Sequence, residues 1–390
     1  MIPKPLGQIT EQDINDLITN KIPENKTLEY KEALPGNSDA DKKECTADIT
    51  AFANTQGGDL LYGITEERDA NGQATGIPKA ATGIATTNPD KDILRLTTLI
   101  RDTTDPRLTT LQFRTLTGFP SGPVILVRIP DSWNKPHMVT TNKKFYARST
   151  KDKYEMNTSE LRDAFLQTEE LPKRIRAFRD ERTQAIIHGN TPIKLPLGPQ
   201  LILHLVPYQG MRPGHEIDIK NLEERTEELR PRRNRSDYRP GYNLDGFLVH
   251  ADPDKDGSHD WYVLVFRNGI IELVHTAYLS EVEGHRHLPA PIIERDMILD
   301  TQRLWQFQQT LGIQPPIVVM LTLTNVTGYR IDGKSPGIDR DTLALPEALI
   351  DEPSPDFPRQ LRRLIDALWQ AGGHPESPNY DSDGNWTPHP

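Results

Sequence analysis

Cysteine is almost absent from this chain of 390 residues: Cys45 stands alone, so neither an intrachain disulfide nor a cysteine-built zinc cluster can form. Long apolar runs are absent too. No window approaches the roughly 20 apolar residues of a membrane-spanning helix, and Met1-Ile2-Pro3-Lys4-Pro5 has no apolar signal segment. Both set the expectation of a cytoplasmic protein with no membrane partner. There is no G-x-x-x-x-G-K-(S/T) loop, which excludes a P-loop ATPase, and no Ser, His and Asp order stands out as a hydrolase triad. Positive charge is in deficit, with 46 Lys and Arg against 56 Asp and Glu. The net charge of -10 speaks against a nonspecific nucleic-acid coat protein and still allows a local basic groove.

Proline is abundant, at 33 residues against the roughly 5% of average chains, so loops are many. The length exceeds most single domains and predicts two, each with its own core. The expected organisation is an α+β domain over 1–170, a connecting helix and loop over 171–195, a second α+β domain over 196–371 serving as sensor, regulator or assembly module, and a flexible tail over 372–390.

In the first domain, Ile14, Leu17 and Ile18 predict a helix over 11–18. Thr27-Leu28-Glu29-Tyr30-Lys31 alternates like a strand, with Glu29 and Lys31 on one face and Leu28 and Tyr30 on the other. Residues 41–55 predict a helix whose inner face carries Cys45, Ile49, Phe52 and Ala53 and which stops at Gly57-Gly58. A central strand over 59–64 follows, with Glu66 emerging at its carboxyl end. A helix marked by Ile93, Leu96 and Ile100, strands over 108–117, 124–129 and 143–148, and a helix opening at Asn157 complete the domain. In the second domain, strand signals over 201–206, 246–251, 261–266, 270–275 and 317–323 mix with a helix through Leu304, Phe307 and Leu311 and another over 359–370.

Glu24 and Glu29 lie astride the entry to the first strand and converge with Glu66 if the two strands are neighbours. Three carboxylates near one point repel one another, and a divalent cation, Mg²⁺ or Mn²⁺, is what neutralises such a cluster. With Lys31 beside it as a cationic clamp, that arrangement suits phosphodiester hydrolysis. Exposed Glu pairs abound, so spacing alone leaves a solvated surface as the other reading. Basic residues Lys135, His137, Lys143, Lys144, Arg148, Lys151 and Lys153 gather at the end of the domain. Lys144, Tyr146 and Arg148 alternate along one strand and suit an RNA backbone, or else a solubilising edge. A second basic run, Arg230, Arg232, Arg233, Arg235 and Arg239, is read as an arm gripping RNA or a partner. Asp252 to Ser258 imitates a calcium loop but has Val263 where the bidentate Glu belongs, and is read as a hairpin turn.

E-N-K-T-L-E-Y-K-E-A from Glu24 to Ala33, A-F-A-N-T-Q-G-G-D-L-L-Y-G-I from Ala51 to Ile64, Lys135-Pro136-His137 and Phe145-Tyr146-Ala147-Arg148 follow one another in an order that resembles the AlbA-type domain (AlbA_2) of the Schlafen family. The resemblance covers roughly residues 18–165. It implies a bacterial Schlafen-like nuclease, a metal-dependent endoribonuclease cleaving structured RNA, tRNA above all, in antiphage defence or stress. The family's three catalytic acids fall on Glu24, Glu29 and Glu66, with Glu67 as the other choice for the third position. Because Schlafens pair two AlbA-like lobes and one copy is visible here, the resemblance also implies a homodimer or higher homo-oligomer. The alternative is a non-catalytic regulatory protein that binds nucleic acid or a nucleotide.

Overall fold

The computed structural model describes residues 1–388 apart from 151, 213, 235, 283, 332–334 and 352–355. The chain divides into two compact units, Met1–Glu170 and Leu171–Pro390.

In the first unit the elements run α1 (Glu11–Thr19), β1 (Leu28–Lys31), α2 (Asp39–Thr55), β2 (Gly58–Tyr62), β3 (Ile64–Arg68), β4 (Ala74–Ala81), α3 (Pro89–Thr103), β5 (Thr104–Asp105), β6 (Gln112–Phe119), β7 (Gly122–Ile129), β8 (Met138–Val139), β9 (Lys144–Arg148) and β10 (Lys153–Glu155). The division between units falls inside α4 (Thr158–Ile187). A mixed sheet, β1-β2-β7-β6, forms the centre, with β1 parallel to β2 and the other pairs antiparallel. One face of it packs Ile49 and Phe52 of α2 and Leu96 and Ile100 of α3 against Leu60, Tyr62 and Val127. The other face packs Ile14 of α1 against Leu28, Tyr30, Leu61 and Leu126. β1 therefore alternates as its sequence predicts, and its polar members face away from Leu28 and Tyr30.

Caps explain where the helices start. The Ser38 hydroxyl accepts from the Asp41 N–H, the Asn88 side chain from Lys91, and the Asn157 side chain from Ser159 and Glu160. α2 ends where Gly57 takes a φ of 71°. The strand expected over 59–64 stops at Tyr62, because Gly63 turns the chain at a φ of 98° and opens a β3–β4 hairpin. Glu66 thus sits within a strand of its own and not at the end of β2. A buried ion pair secures the far end of β2: Arg128 donates to Asp59 at 2.8 and 2.9 Å and to the carbonyls of Ile2 and Lys4 at 3.0 and 2.6 Å.

The second unit is built on an antiparallel sheet. Its strands are β11 (Gln200–Pro207), β12 (Tyr238–Tyr242), β13 (Gly246–Ala251), β14 (Trp261–Phe266), β15 (Ile271–His275), β18 (Ile317–Thr324), β19 (Leu343–Ala344) and β20 (Ala348–Ile350), with a separate β16 (Ser280–Val282) and β17 (His285–His287) hairpin. The spatial order is β12-β13-β14-β15-β11-β18-β19, and β20 also pairs with β18. Helices α5 (Ala290–Thr310) and α6 (Phe357–Ala371) cover one face through Ile293, Leu304, Leu364 and Leu368. The residues of α4 that belong to this unit place Ile175 and Ile186 on the other face. There the buried Glu272 accepts from Arg182 at 2.8 and 2.7 Å, from Tyr262 at 2.7 Å, and bonds His204 Nε2 at 2.9 Å.

The segment after residue 371, poor in apolar residues and read as a flexible tail, is packed where it is described. Buried Glu294 of α5 accepts from the Ser377 hydroxyl at 2.8 Å, Asn379 at 3.1 Å, and the indoles of Trp369 and Trp386 at 2.7 and 2.9 Å. Polar anchors hold this segment, and average hydrophobicity does not register them. No described helix is long and apolar enough to cross a membrane.

Candidate functional site

A cleft of about 660 Å³ opens in the first unit, lined by Glu24, Glu29, Lys31, Glu44, Asp48, Glu66, Gly76, Arg148 and Lys153 among others. Glu29 and Lys31 reach it because alternate residues of β1 share a face. Glu24 precedes β1, and its Oε1 accepts from the Tyr30 N–H at 2.7 Å. Glu66 reaches it from β3, with Oε2 accepting from the Gly76 N–H at 2.8 Å. Gly76 also accepts the Glu24 N–H on its carbonyl at 2.7 Å, so one residue of β4 holds both acids. The neighbouring Glu67 pairs instead with Lys21 at 2.8 Å and is not among the residues lining the cleft.

The floor of the cleft is an ion-pair network. Buried Glu29 accepts from Lys31 Nζ at 2.6 Å on one oxygen and from Arg148 on the other. Lys31 also lies 3.3 Å from Asp48, which pairs with Lys153 at 2.5 Å. Arg148 stacks 4.1 Å above the Phe52 ring, a cation–π contact that supports its position. Burial pushes the Glu24 carboxyl up to about 7, with the charges of Glu29 and Glu66 adding and the Tyr30 N–H opposing. Burial would also raise Glu29, but Lys31 and Arg148 outweigh it and hold that carboxyl below its ordinary value. Asp48 is raised, by burial and then by the charge of Glu29. Lys31 is raised because Asp48 and Glu29 outweigh its burial.

Asp48 escaped the sequence reading. Its signal was its register: it stands three residues after Cys45 and four before Phe52, inside the apolar stripe of α2, where a carboxylate needs a partner.

The basic residues disperse. Arg148 and Lys153 enter the cleft. Lys144 is exposed and pairs with Glu155 at 2.5 Å, Tyr146 is half-buried with its hydroxyl accepting from Asn142, and Lys143 is exposed at a φ of 59°. Lys135 bonds Asp131 at 3.2 Å. His137, expected on an RNA-facing surface, is instead buried, its ring held between the Ser132 hydroxyl and the Pro106 carbonyl at 2.6 Å each, while its N–H donates to Asn54 of α2. The packing of β8 and β9 on α2 is what removes His137 and Arg148 from an outer edge. Lys151 lies outside the described residues. In the second unit Arg230 pairs with Glu227, Arg239 with Asp252, and Arg233 donates to the Ala277 carbonyl, while Arg235 also lies outside the described residues.

As a metal site, the three expected carboxylates fit in part. Among the described residues no group of three His, Cys, Asp or Glu is placed to hold an ion. Both oxygens of Glu29 are engaged by cations. Glu24 and Glu66 remain, two hard oxygen donors at one Gly76, with Glu24 raised mainly by burial and in smaller part by the charges of Glu29 and Glu66. Mg²⁺ is commonly held by one or two carboxylates completed by water and substrate phosphate, so this pair fits such an ion where a three-carboxylate cage does not.

Residues 24–157 match the family described as Schlafen, AlbA_2. The chain thus carries a Schlafen AlbA_2 domain, and the cleft lies in it. Among solved structures, the N-terminal domain of an ATP-dependent DNA helicase RecG-related protein from Nitrosomonas europaea is 20% identical and covers 37% of this chain and 78% of that one, at a TM-score of 0.24. No curated protein matches the chain.

Proposed function

We propose that the AlbA_2 domain is a divalent-metal-dependent endoribonuclease acting on structured RNA, tRNA above all, at the cleft of Glu24, Glu29 and Glu66. The observation that supports this most is the meeting of all three acids with Lys31, Arg148 and Lys153 in one opening. Glu24 and Glu66 would hold Mg²⁺ or Mn²⁺. When bound, such an ion supplies charge neutralisation at a phosphate and acidifies a water. Lys31, half-exposed at the rim of the network, stabilises the charge that builds on the phosphate oxygens. Glu29 acts through Lys31 and Arg148, fixing where both cations stand. Lys153 and the exposed Lys143 and Lys144 meet the RNA backbone. A second copy of the chain would supply the other lobe of the groove, and the setting is a cytoplasmic defence or stress response.

The test incubates purified full-length protein with labelled tRNA and Mn²⁺, with EDTA, and with Glu24→Gln. The proposal expects cleavage in the first tube alone. Equal cleavage in all three would overturn it. A second reading, nucleic-acid binding without hydrolysis, is favoured by the full pairing of Glu29 and predicts shifted but intact RNA with the wild-type protein.

A further inference from the structure

The acidic cleft does not end at Lys31. Lys31, Glu44 and Asp48 also line a smaller cavity of about 220 Å³ beside it, together with Cys45, Tyr62 and the loop residues Leu34 and Pro35. Leu34 and Pro35, with Ala33, in turn line a third cavity of about 620 Å³. Shared wall residues thus relate the three openings in turn around the loop that joins β1 to α2.

The third chamber holds one cationic side chain, Arg95 of α3. Among the described residues Arg95 has no hydrogen-bond or ion-pair partner, although nearly every other cation in this unit's clefts is paired, and the same is true of the hydroxyl of Ser121, which lines the chamber too. The two acids of the chamber do not take Arg95. Asp92 accepts from the Thr86 hydroxyl at 2.6 Å, and Glu32 is exposed. The floor is bare backbone: at Gly83 a Cβ would overlap the Gly122 carbonyl, and at Gly122 it would overlap that of Ile84. These glycines permit a close approach of main chains, so this part of the wall is backbone.

A fork of guanidinium donors and an unused hydroxyl lining one chamber suit a phosphate oxygen pair. We propose that Arg95 and Ser121 form a second phosphate subsite, which holds a neighbouring phosphodiester of the same RNA strand. The inference rests on reading the acidic cleft as an RNA site.

The experiment measures binding of fluorescein-labelled oligoribonucleotides to the full-length protein in EDTA over a range of salt. It compares a dinucleotide with a strand of about eight nucleotides, the scale of a single-strand site. Removing one phosphate contact lowers the slope of log K against log salt by about 0.7 for single strands. Arg95→Ala is expected to show that loss with the longer strand, to bind it several-fold more weakly, and to leave the dinucleotide unchanged. Arg95→Lys should keep the slope. An unaltered slope in Arg95→Ala, or an equal loss for both lengths, overturns the subsite while the cleft reading stands. If the wild-type protein neither binds nor cleaves the longer strand, the cleft reading falls and the subsite with it. Arg95 is half-exposed, and unchanged thermal unfolding of both variants assigns the effects to binding.

Discussion

Glu24 and Glu66, 42 positions apart in sequence, are held against the same residue: the Gly76 carbonyl accepts from the Glu24 N–H at 2.7 Å and the Gly76 N–H donates to Glu66 at 2.8 Å. Gly76 has a φ of 73°, and a Cβ there would stand 3.4 Å from Glu24 Oε2. Gly76→Ala is therefore expected to lose about 1–2 kcal/mol from the left-handed backbone alone. It should also disturb both acids. Denaturant unfolding reads the first effect and tRNA cleavage the second, and a variant with wild-type stability and activity would show that Gly76 does not set this geometry.

Arg148 and Glu29 form a buried ion pair in the lining of the cleft. Arg148→Met leaves Glu29 buried with Lys31 as its remaining partner, and is expected to lose about 3 kcal/mol or more. Adding Glu29→Gln should restore part of that loss, because no unpaired charge is then left. Denaturant midpoints of the two single variants and the double variant check this, and simple additivity would contradict coupling.

Part of this site was legible in the chain and part was not. Alternation in Leu28-Glu29-Tyr30-Lys31 correctly put two charges on one face, because period two follows from strand geometry alone. The acids at 24, 29 and 66 do share one cleft. The β3–β4 hairpin escaped notice because Ile-Thr-Glu-Glu-Arg has little apolar alternation, and its position depends on Gly63. Arg148 and Lys153 looked like members of a solvated row. Their destination is decided by Glu29, which is 119 residues from Arg148, and by Asp48, 105 residues from Lys153, and no local pattern encodes such distances.

Asp300 gives a pH dependence. Burial raises its carboxyl to about 6, with Asp296 adding and Arg303 and the Arg232 N–H opposing. The folded state holds this proton more tightly than the unfolded state, so stability is highest at low pH and falls as pH rises from the unfolded value through about 6. Relative to Asp300→Asn, the wild-type protein should lose on the order of 2–3 kcal/mol between about pH 4 and pH 7. Four of the five tryptophans, at 261, 305, 369 and 386, lie in the second unit, so unfolding followed by their fluorescence reads it there. Parallel pH profiles would contradict the shift.

Glu294 anchors the segment that follows α6. Glu294→Leu leaves the donors of Ser377, Asn379, Trp369 and Trp386 without their acceptor, each worth about 1–3 kcal/mol when buried and unmatched. Limited proteolysis should then cut between 374 and 388 faster than in the wild-type protein. Unchanged cutting would show that the segment is held by other contacts.

The adjacent acids Glu66 and Glu67 offer the most direct test of the cleft as the catalytic centre, since one lines it and the other pairs with Lys21. Cleavage of labelled tRNA in Mn²⁺ is measured for Glu66→Gln and Glu67→Gln. Glu66→Gln should lose about 100-fold or more in rate, the scale of removing a group that acts in the transition state, while Glu67→Gln stays near wild type. Equal rates in the two variants would contradict the assignment of the cleft.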